Sequence, residues 1–216
     1  AVGVDGGPNR LYLNGGEHEA SPLREYWETL ESDATTALAW GDVDGDGDAD
    51  LTVANTDQSL RTYRHDANTL PISPTLPITT QANARGMAWG DADGDGLIDL
   101  VVAHQADYNV VYTNTGLGFT PAWTTTEQDT STAVAWADFD GDGRLDFAVA
   151  NTNGQPNRLY HNLGGGSFAR IENPPQLADS QALAWADVDG DHDLDLAVGN
   201  DGANHLYCND GAGTLA

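Results

Sequence analysis

Short apolar segments alternate with clusters of aspartate and glycine along the chain. Segments such as 38–40 and 50–54 are rich in residues that favour strands and are bounded by Gly and Asp. No segment keeps the 3.6-residue apolar period of an amphipathic helix. Linkers such as 69–74 contain prolines, which interrupt helices and central strands. The pattern therefore predicts an all-β fold.

This pattern recurs four times, and the first aspartates of successive copies are 49, 47 and 49 residues apart. The aligned segments are 38–55, 87–104, 134–151 and 183–200. About four short strands in each period of this length are typical of one blade of a β-propeller. We therefore predict a β-propeller of four-stranded antiparallel blades, with about five blades present, three complete and two partial.

The repeats also predict where the chain divides. The expected parts are a partial blade at 1–33, repeats at about 34–82, 83–129 and 130–178, and a partial repeat at 179–216. We expect 1–216 to be a single β-propeller domain or a fragment of a larger one. Since residue 1 falls inside a repeat, we expect the native start to be missing, so the lack of a signal peptide says nothing about secretion.

One tryptophan in each repeat stands two residues before the first aspartate of the cluster. Because these tryptophans keep one phase, we predict that they lie in the core between blades; they are Trp40, Trp89, Trp136 and Trp185. The single cysteine, Cys208, rules out an intrachain disulfide and is expected to be a small, buried or half-buried residue.

The charge balance restricts the possible partners. The chain has 34 acidic residues against 8 Lys and Arg, a formal charge of −26. Nucleic acids and anionic lipids need a basic surface, so we expect no nucleic-acid partner. No apolar run approaches the roughly 20 residues of a membrane helix, so we expect no membrane insertion in this segment. Such a surface suits cations.

Each repeat carries a loop with aspartate at alternate positions. Counted from the first aspartate, positions 1, 3, 5 and 9 are Asp in all four copies. Alternate residues on a tightly curled backbone can direct their carboxylates inward, and glycines at positions 4 and 6 permit the positive φ of that curl. The side chain at position 7 varies, so we predict its backbone carbonyl as a ligand. Six or seven oxygen ligands indicate Ca²⁺, about four ions in all.

The predicted metal ligands are five residues in each loop: Asp42, Asp44, Asp46, Asp48 and Asp50; Asp91, Asp93, Asp95, Leu97 and Asp99; Asp138, Asp140, Asp142, Arg144 and Asp146; and Asp187, Asp189, Asp191, Asp193 and Asp195. Without a cation, neighbouring carboxylates would repel by roughly 1 to 4 kcal/mol per close pair. An EF-hand is excluded because position 12 is valine in every copy. His192 replaces glycine at position 6 of the fourth loop, so we expect a strained and weaker site there.

These motifs, Asp-x-Asp-Gly-Asp-Gly-x-x-Asp after Ala-Trp and later Arg-Leu-Tyr-x-Asn with a Gly-rich turn into Phe, resemble the FG-GAP/VCBS-type repeats of integrin α-subunit propellers and bacterial extracellular proteins. The resemblance implies a seven- or eight-bladed propeller with metal loops between the first and second strands of each blade. It also implies an extracellular or cell-surface, secreted protein.

Three functions remain open at this stage. The first is a calcium-binding module with a structural, adhesive or protein-interaction role, in which Ca²⁺ makes the loops rigid. The second is a carbohydrate-binding lectin using residues such as Trp27, Trp123, Arg10, Arg158 and His205, of which the two tryptophans fall outside the repeating Trp phase. The third, a polysaccharide-active enzyme, lacks a catalytic cluster in the sequence, so we expect no enzyme activity. A protein or glycan partner, a homo-oligomer or continuation in a longer chain would cover exposed sheet edges.

Overall fold

The computed structural model describes residues 1–14, 23–66, 69–78, 83–171, 179–211 and 213–215, and its regular secondary structure there consists of strands. They are β1 (Arg10–Asn14), β2 (Leu23–Glu28), β3 (Thr35–Gly41), β4 (Asp50–Asn55), β5 (Gln58–Tyr63), β6 (Leu76–Ile78), β7 (Ala84–Gly90), β8 (Asp99–His104), β9 (Val110–Asn114), β10 (Phe119–Thr124), β11 (Ser131–Ala137), β12 (Asp146–Asn151), β13 (Arg158–Gly164), β14 (Ser167–Ile171), β15 (Ser180–Ala186), β16 (Asp195–Asn200) and β17 (His205–Tyr207).

Within the described ranges the strands form antiparallel sheets in which each strand pairs with its neighbour in sequence. The four-stranded sheets are β3–β6, β7–β10 and β11–β14, and smaller sheets contain β15–β17 and β1–β2. The predicted all-β class and the four-stranded antiparallel sheets are confirmed. Closure of a ring and the number of blades remain predictions. In the described part of the chain no helix has the length and apolar character needed to span a membrane.

The chain divides into two compact units, 1–84 and 85–216. In the first unit, Trp27 of β2 packs edge-on against Tyr63 of β5, with ring centroids 5.2 Å apart. Leu51, Val53 and Leu70 complete this core. In the second unit the largest core gathers around Phe147, whose ring contacts Trp123, Trp136, Tyr160 and Phe168.

The second strand of each four-stranded sheet is buried along its whole length. This holds for β4, β8 and β12. Their sequences are almost continuously apolar after the first aspartate, as expected for strands covered on both faces. Each begins at position 9 of an aspartate loop, so the loop is anchored to the most buried strand of its sheet.

First strands of neighbouring sheets approach closely in the second unit. A Cβ atom on Gly86 of β7 would lie 2.9 Å from the Cα atom of Ala133 in β11, so only glycine fits without a backbone shift. Nε1 of Trp136 donates to the carbonyl of Ala88, 3.0 Å away. Trp185 stacks on Phe139 at 6.0 Å. Trp136 and Trp185 therefore lie between sheets, as the repeat predicted.

Two burial predictions are wrong. Trp40 was predicted to lie in the core between blades, but its side chain is 41% exposed and lines a groove in the first unit. Cys208 is exposed as well. It follows directly after β17, a strand with largely exposed side chains.

Candidate metal centres

The first aspartate of each loop folds the backbone around its own carboxylate. In the first loop Oδ1 of Asp42 accepts hydrogen bonds from the N–H groups of Gly45 and Asp46, at 2.8 and 3.1 Å. Its Oδ2 accepts one from Gly47 at 2.9 Å. The other loops use the same turn, through Asp91, Asp138 and Asp187. The curl is thus encoded in each loop by short-range bonds.

The positive φ predicted at positions 4 and 6 is confirmed. Gly45 and Gly47 have φ values of 74° and 94°, and the glycines of the second and third loops behave alike. His192 takes φ 78° at position 6 of the fourth loop. A side chain other than glycine is strained there. The N–H of His192 still donates to Asp187, so the turn is preserved.

The carboxylates meet at the centre of the curl. One oxygen from each of Asp42, Asp44 and Asp50 lies within 4.8 Å of the others. The equivalent aspartates of the second loop, Asp91, Asp93 and Asp99, are gathered in the same way. In the third loop the oxygens of Asp138, Asp140 and Asp142 are equally close to one another. Hard carboxylate oxygens at such separations fit Ca²⁺, which would be held by the predicted ligands of each loop.

The aspartate at position 9 also has a structural role. Oδ2 of Asp50 accepts the N–H of Val43 at 2.9 Å, and Oδ1 accepts that of His65 at 2.7 Å, just beyond β5. Asp99 makes the matching pair of bonds, with Ala92 and Asn114. The carboxylate therefore joins its own loop to the end of the third strand.

Burial of this carboxylate changes its proton affinity. Removal from water raises the pKa of Asp50 and Asp99, and raises that of Asp146 to about 6. In the fourth loop the N–H of Asn209, followed by that of Val188, lowers the pKa of Asp195. A bound cation would favour the ionised form at all four positions.

An asparagine two residues after the tyrosine of the third strand links neighbouring loops. Nδ2 of Asn162 donates to the carbonyl of Leu145 in its own loop at 2.9 Å, and to that of Ala92 in the preceding loop at 2.8 Å. Asn209 makes the corresponding bonds to Leu194 and Phe139. The Tyr-x-Asn motif marks this residue in the sequence, but its partner is 70 residues away.

Basic side chains distinguish two of the loops. The guanidinium of Arg64 contacts the carboxylate of Asp44, and that of Arg144 contacts Asp142. Arg144 was predicted to bind the ion through its backbone carbonyl. Its side chain also contacts the same loop, at Asp142. The carbonyls of position 7 and the remaining predicted ligands stay predictions. In all four loops the N–H of position 7 donates to the aspartate at position 5.

The structure corrects the set of residues predicted to bind sugar. Trp27 is only 8% exposed, and its Nε1 donates to the carbonyl of Pro71. Trp123 packs among the rings around Phe147. Arg158 forms a salt bridge with Asp129 at 2.8 Å. Trp27 and Trp123 therefore pack in the cores of the sheets, and Arg158 is held by its ion pair.

The other two residues predicted to bind sugar, Arg10 and His205, have solvent-exposed side chains. Arg10 lies 3.4 Å from Glu25, and the salt bridge leaves nearly half of its side chain exposed. His205 is exposed and stacks on Tyr207.

The repeats match a known protein family in sequence. A family profile described as FG-GAP-like repeat matches residues 42–102, 91–149 and 138–198, so each match runs from one loop into the next repeat. No curated protein matches the chain in sequence.

Several solved structures share the fold. An Agrocybe aegerita lectin, described in terms of specific recognition of non-reducing terminal N-acetylglucosamine, superposes with a TM-score of 0.62 at 18% identity over 98% of this chain and 60% of its own. BBS1N in complex with ARL6DN gives 0.59 at 16% over 84% and 55%. The V. cholerae biofilm matrix protein Bap1 gives 0.56 at 21% over 83% and 27%. The chain thus spans less than two thirds of each of these propeller-like structures.

Proposed function

This chain belongs to the FG-GAP-like repeat family, and on that premise we propose that it is an extracellular calcium-binding interaction module rather than an enzyme. Each of its loops would hold one Ca²⁺ and so become rigid. The partner would be a protein or a glycan at the cell surface.

The observation that carries this proposal is the convergence of carboxylates in loops that are already curled. In the second loop Asp91, Asp93 and Asp99 bring oxygens within 4.8 Å of one another. Among the described residues no basic side chain forms an ion pair with these three. Repulsion between such close charges is relieved when a divalent cation binds.

Calcium suits this donor set and the proposed location. The ligands are oxygens on a flexible loop, which Ca²⁺ accepts more readily than Mg²⁺ does. Extracellular repeat modules bind Ca²⁺ with dissociation constants of about 10⁻⁴ to 10⁻³ M, which extracellular calcium is sufficient to fill. The formal charge of −26 would be partly neutralised by the ions.

Calorimetric titration of Ca²⁺ into the chelated protein tests the proposal. We expect about four sites, and Asp42→Ala, Asp91→Ala, Asp138→Ala and Asp187→Ala should each remove one. Chelation should also lower the melting temperature, because the ions bind only the folded loops. Two or fewer sites, or a melting temperature that chelation leaves unchanged, would contradict it.

A groove in the first unit favours glycan binding as a second candidate. Trp40 and Tyr26, which are 41% and 48% exposed, line a cavity of about 510 Å³ together with Asp48 and His65. Exposed aromatic faces beside hydrogen-bonding groups suit the apolar face and hydroxyls of a sugar ring. The fold shared with the N-acetylglucosamine lectin supports the same candidate.

Glycan-array binding tests this second candidate. Trp40→Ala should abolish the signal, whereas Leu117→Ala, a change at a residue that is 95% exposed in the second unit, should leave it intact. Absence of glycan binding by the wild-type protein, or equal binding by both variants, would remove the candidate.

A further inference from the structure

The third loop carries an imidazole nitrogen between two of its aspartates, which His161 of β13 supplies. Nδ1 of His161 lies 3.0 Å from Oδ2 of Asp140 and 3.2 Å from Oδ1 of Asp146. The three ligand atoms lie within 4.8 Å of one another. Ligands about 2.1 Å from a tetrahedral ion are about 3.4 Å apart, so one ion can contact all three.

Hydrogen bonding does not account for this arrangement. Nδ1 of His161 forms no hydrogen bond with either carboxylate despite the short distances. The Asp146 side chain is fully buried, and its Oδ2 has no hydrogen bond of normal geometry, although the N–H of Phe139 lies beside it. Buried polar atoms almost always have a partner. Nδ1 of His161 lies between carboxylate oxygens of Asp140 and Asp146, so a cation there would gain three ligand atoms.

We propose that the third loop binds a divalent transition metal of the Zn²⁺ and Co²⁺ class through Nδ1 of His161 and the carboxylates of Asp140 and Asp146. This inference rests on the proposed function, in that it takes the loops to be cation sites and assigns one of them a different ion. Imidazole nitrogen favours these metals, whereas calcium prefers oxygen ligands alone.

The arrangement of one imidazole between two aspartates belongs to the third loop, since in the fourth loop Nδ1 of His192 lies 3.8 Å from one aspartate, Asp187. The residue after the tyrosine of the third strand is His161 here, but Leu13, Arg64, Thr113 and Cys208 in the other full or partial repeats. Arg64 fills the equivalent place with a fixed positive charge that contacts Asp44. The competing explanation is therefore that His161, when protonated, serves Asp140 as a simple ion-pair partner.

Titration with Co²⁺ distinguishes the two explanations, because the visible absorption of Co²⁺ reports its ligands. The protein is first saturated with Ca²⁺, and Co²⁺ is then added to the wild type, His161→Gln, His161→Arg and the exposed-histidine control His205→Gln. We expect one tight Co²⁺ in the wild type and the control, bound about tenfold or more weakly in both His161 variants. Zn²⁺ should displace it.

Equal Co²⁺ affinity in the wild type and His161→Gln would overturn the inference and leave His161 as an ion-pair partner. Loss of Co²⁺ binding in His205→Gln would also overturn it. Calcium calorimetry on His161→Gln separates this failure from that of the proposed function. If only the inference about His161 fails, the variant still releases or absorbs heat when Ca²⁺ is added. If the calcium proposal fails, neither the wild type nor any variant shows heat of calcium binding.

Discussion

The side-chain amide of Asn162 donates a hydrogen bond to the carbonyl of Ala92, 2.8 Å away and 70 residues earlier in the chain. Ala92 is the second residue of one aspartate loop, and Asn162 lies in β13, the third strand of the next repeat. The position of a loop is therefore fixed partly by its own turn and partly by the repeat that follows it.

Loss of this amide should destabilise the fold. Asn162→Ala would leave the buried carbonyls of Ala92 and Leu145 without these donors, at a cost of about 1 to 3 kcal/mol. Chemical denaturation of the chelated protein measures the change. Asn153→Gly, at an exposed residue with φ 60°, is the control and should be close to neutral. An Asn162→Ala protein as stable as this control would show that the bonds contribute nothing.

The two roles of the loop aspartates should separate in mutants of the second loop. Asp99 is buried and accepts two backbone N–H groups, so Asp99→Asn should lower the stability of the chelated protein by about 1 to 3 kcal/mol. Asp93 is exposed, so Asp93→Asn should weaken calcium binding and leave the chelated protein unchanged. Thermal unfolding with and without Ca²⁺ measures both. Equal effects of the two variants in chelator would refute the separation.

Arg64 should weaken calcium binding at the first loop. Its guanidinium contacts Asp44, a predicted ligand, and so competes with the ion for the carboxylate. Arg64→Gln should strengthen calcium binding at one site several-fold, since a partly exposed charge pair is worth about 1 kcal/mol or less. Calorimetry measures the affinity, with Arg10→Gln as a surface-charge control. If Arg10→Gln gives the same gain, the effect reflects net charge alone.

His104 should make the protein sensitive to acid. The ring is fully buried, neither nitrogen has a hydrogen-bond partner among the described residues, and burial lowers its pKa below the ordinary 6.5. The unfolded chain therefore binds a proton more readily than the folded one. Stability should fall as the pH drops below about 6.5, by up to about 1.4 kcal/mol per pH unit.

The other copies have asparagine at the position of His104, so His104→Asn tests this effect. The difference in unfolding free energy between wild type and variant should change between pH 7 and pH 5. His205→Asn, at an exposed histidine, should follow the wild-type profile. A constant difference between wild type and His104→Asn across that range would exclude the buried ring as the cause.

The sequence was sufficient for features set by local chemistry. The glycines at φ near 80° and the turn around Asp42 depend on residues within five positions of one another, so their spacing alone predicts them. Features set by packing between sheets were harder to predict from the sequence. Trp27 and Trp40 are both apolar residues in short strands, yet their burial depends on which surface faces a neighbouring sheet. The bond from Asn162 to Ala92 was missed for the same reason, since Ala92 lies in another repeat.

The links made by Asn162 and Asn209 run in one direction. In both, the donor belongs to the later repeat and the acceptor to the loop before it. An ion that shifts a loop should accordingly first affect the repeat that follows this loop. A mutation in the following repeat should in turn weaken the binding of the ion in the loop. Occupancy of the second and third loops would then depend on the repeat that follows each of them.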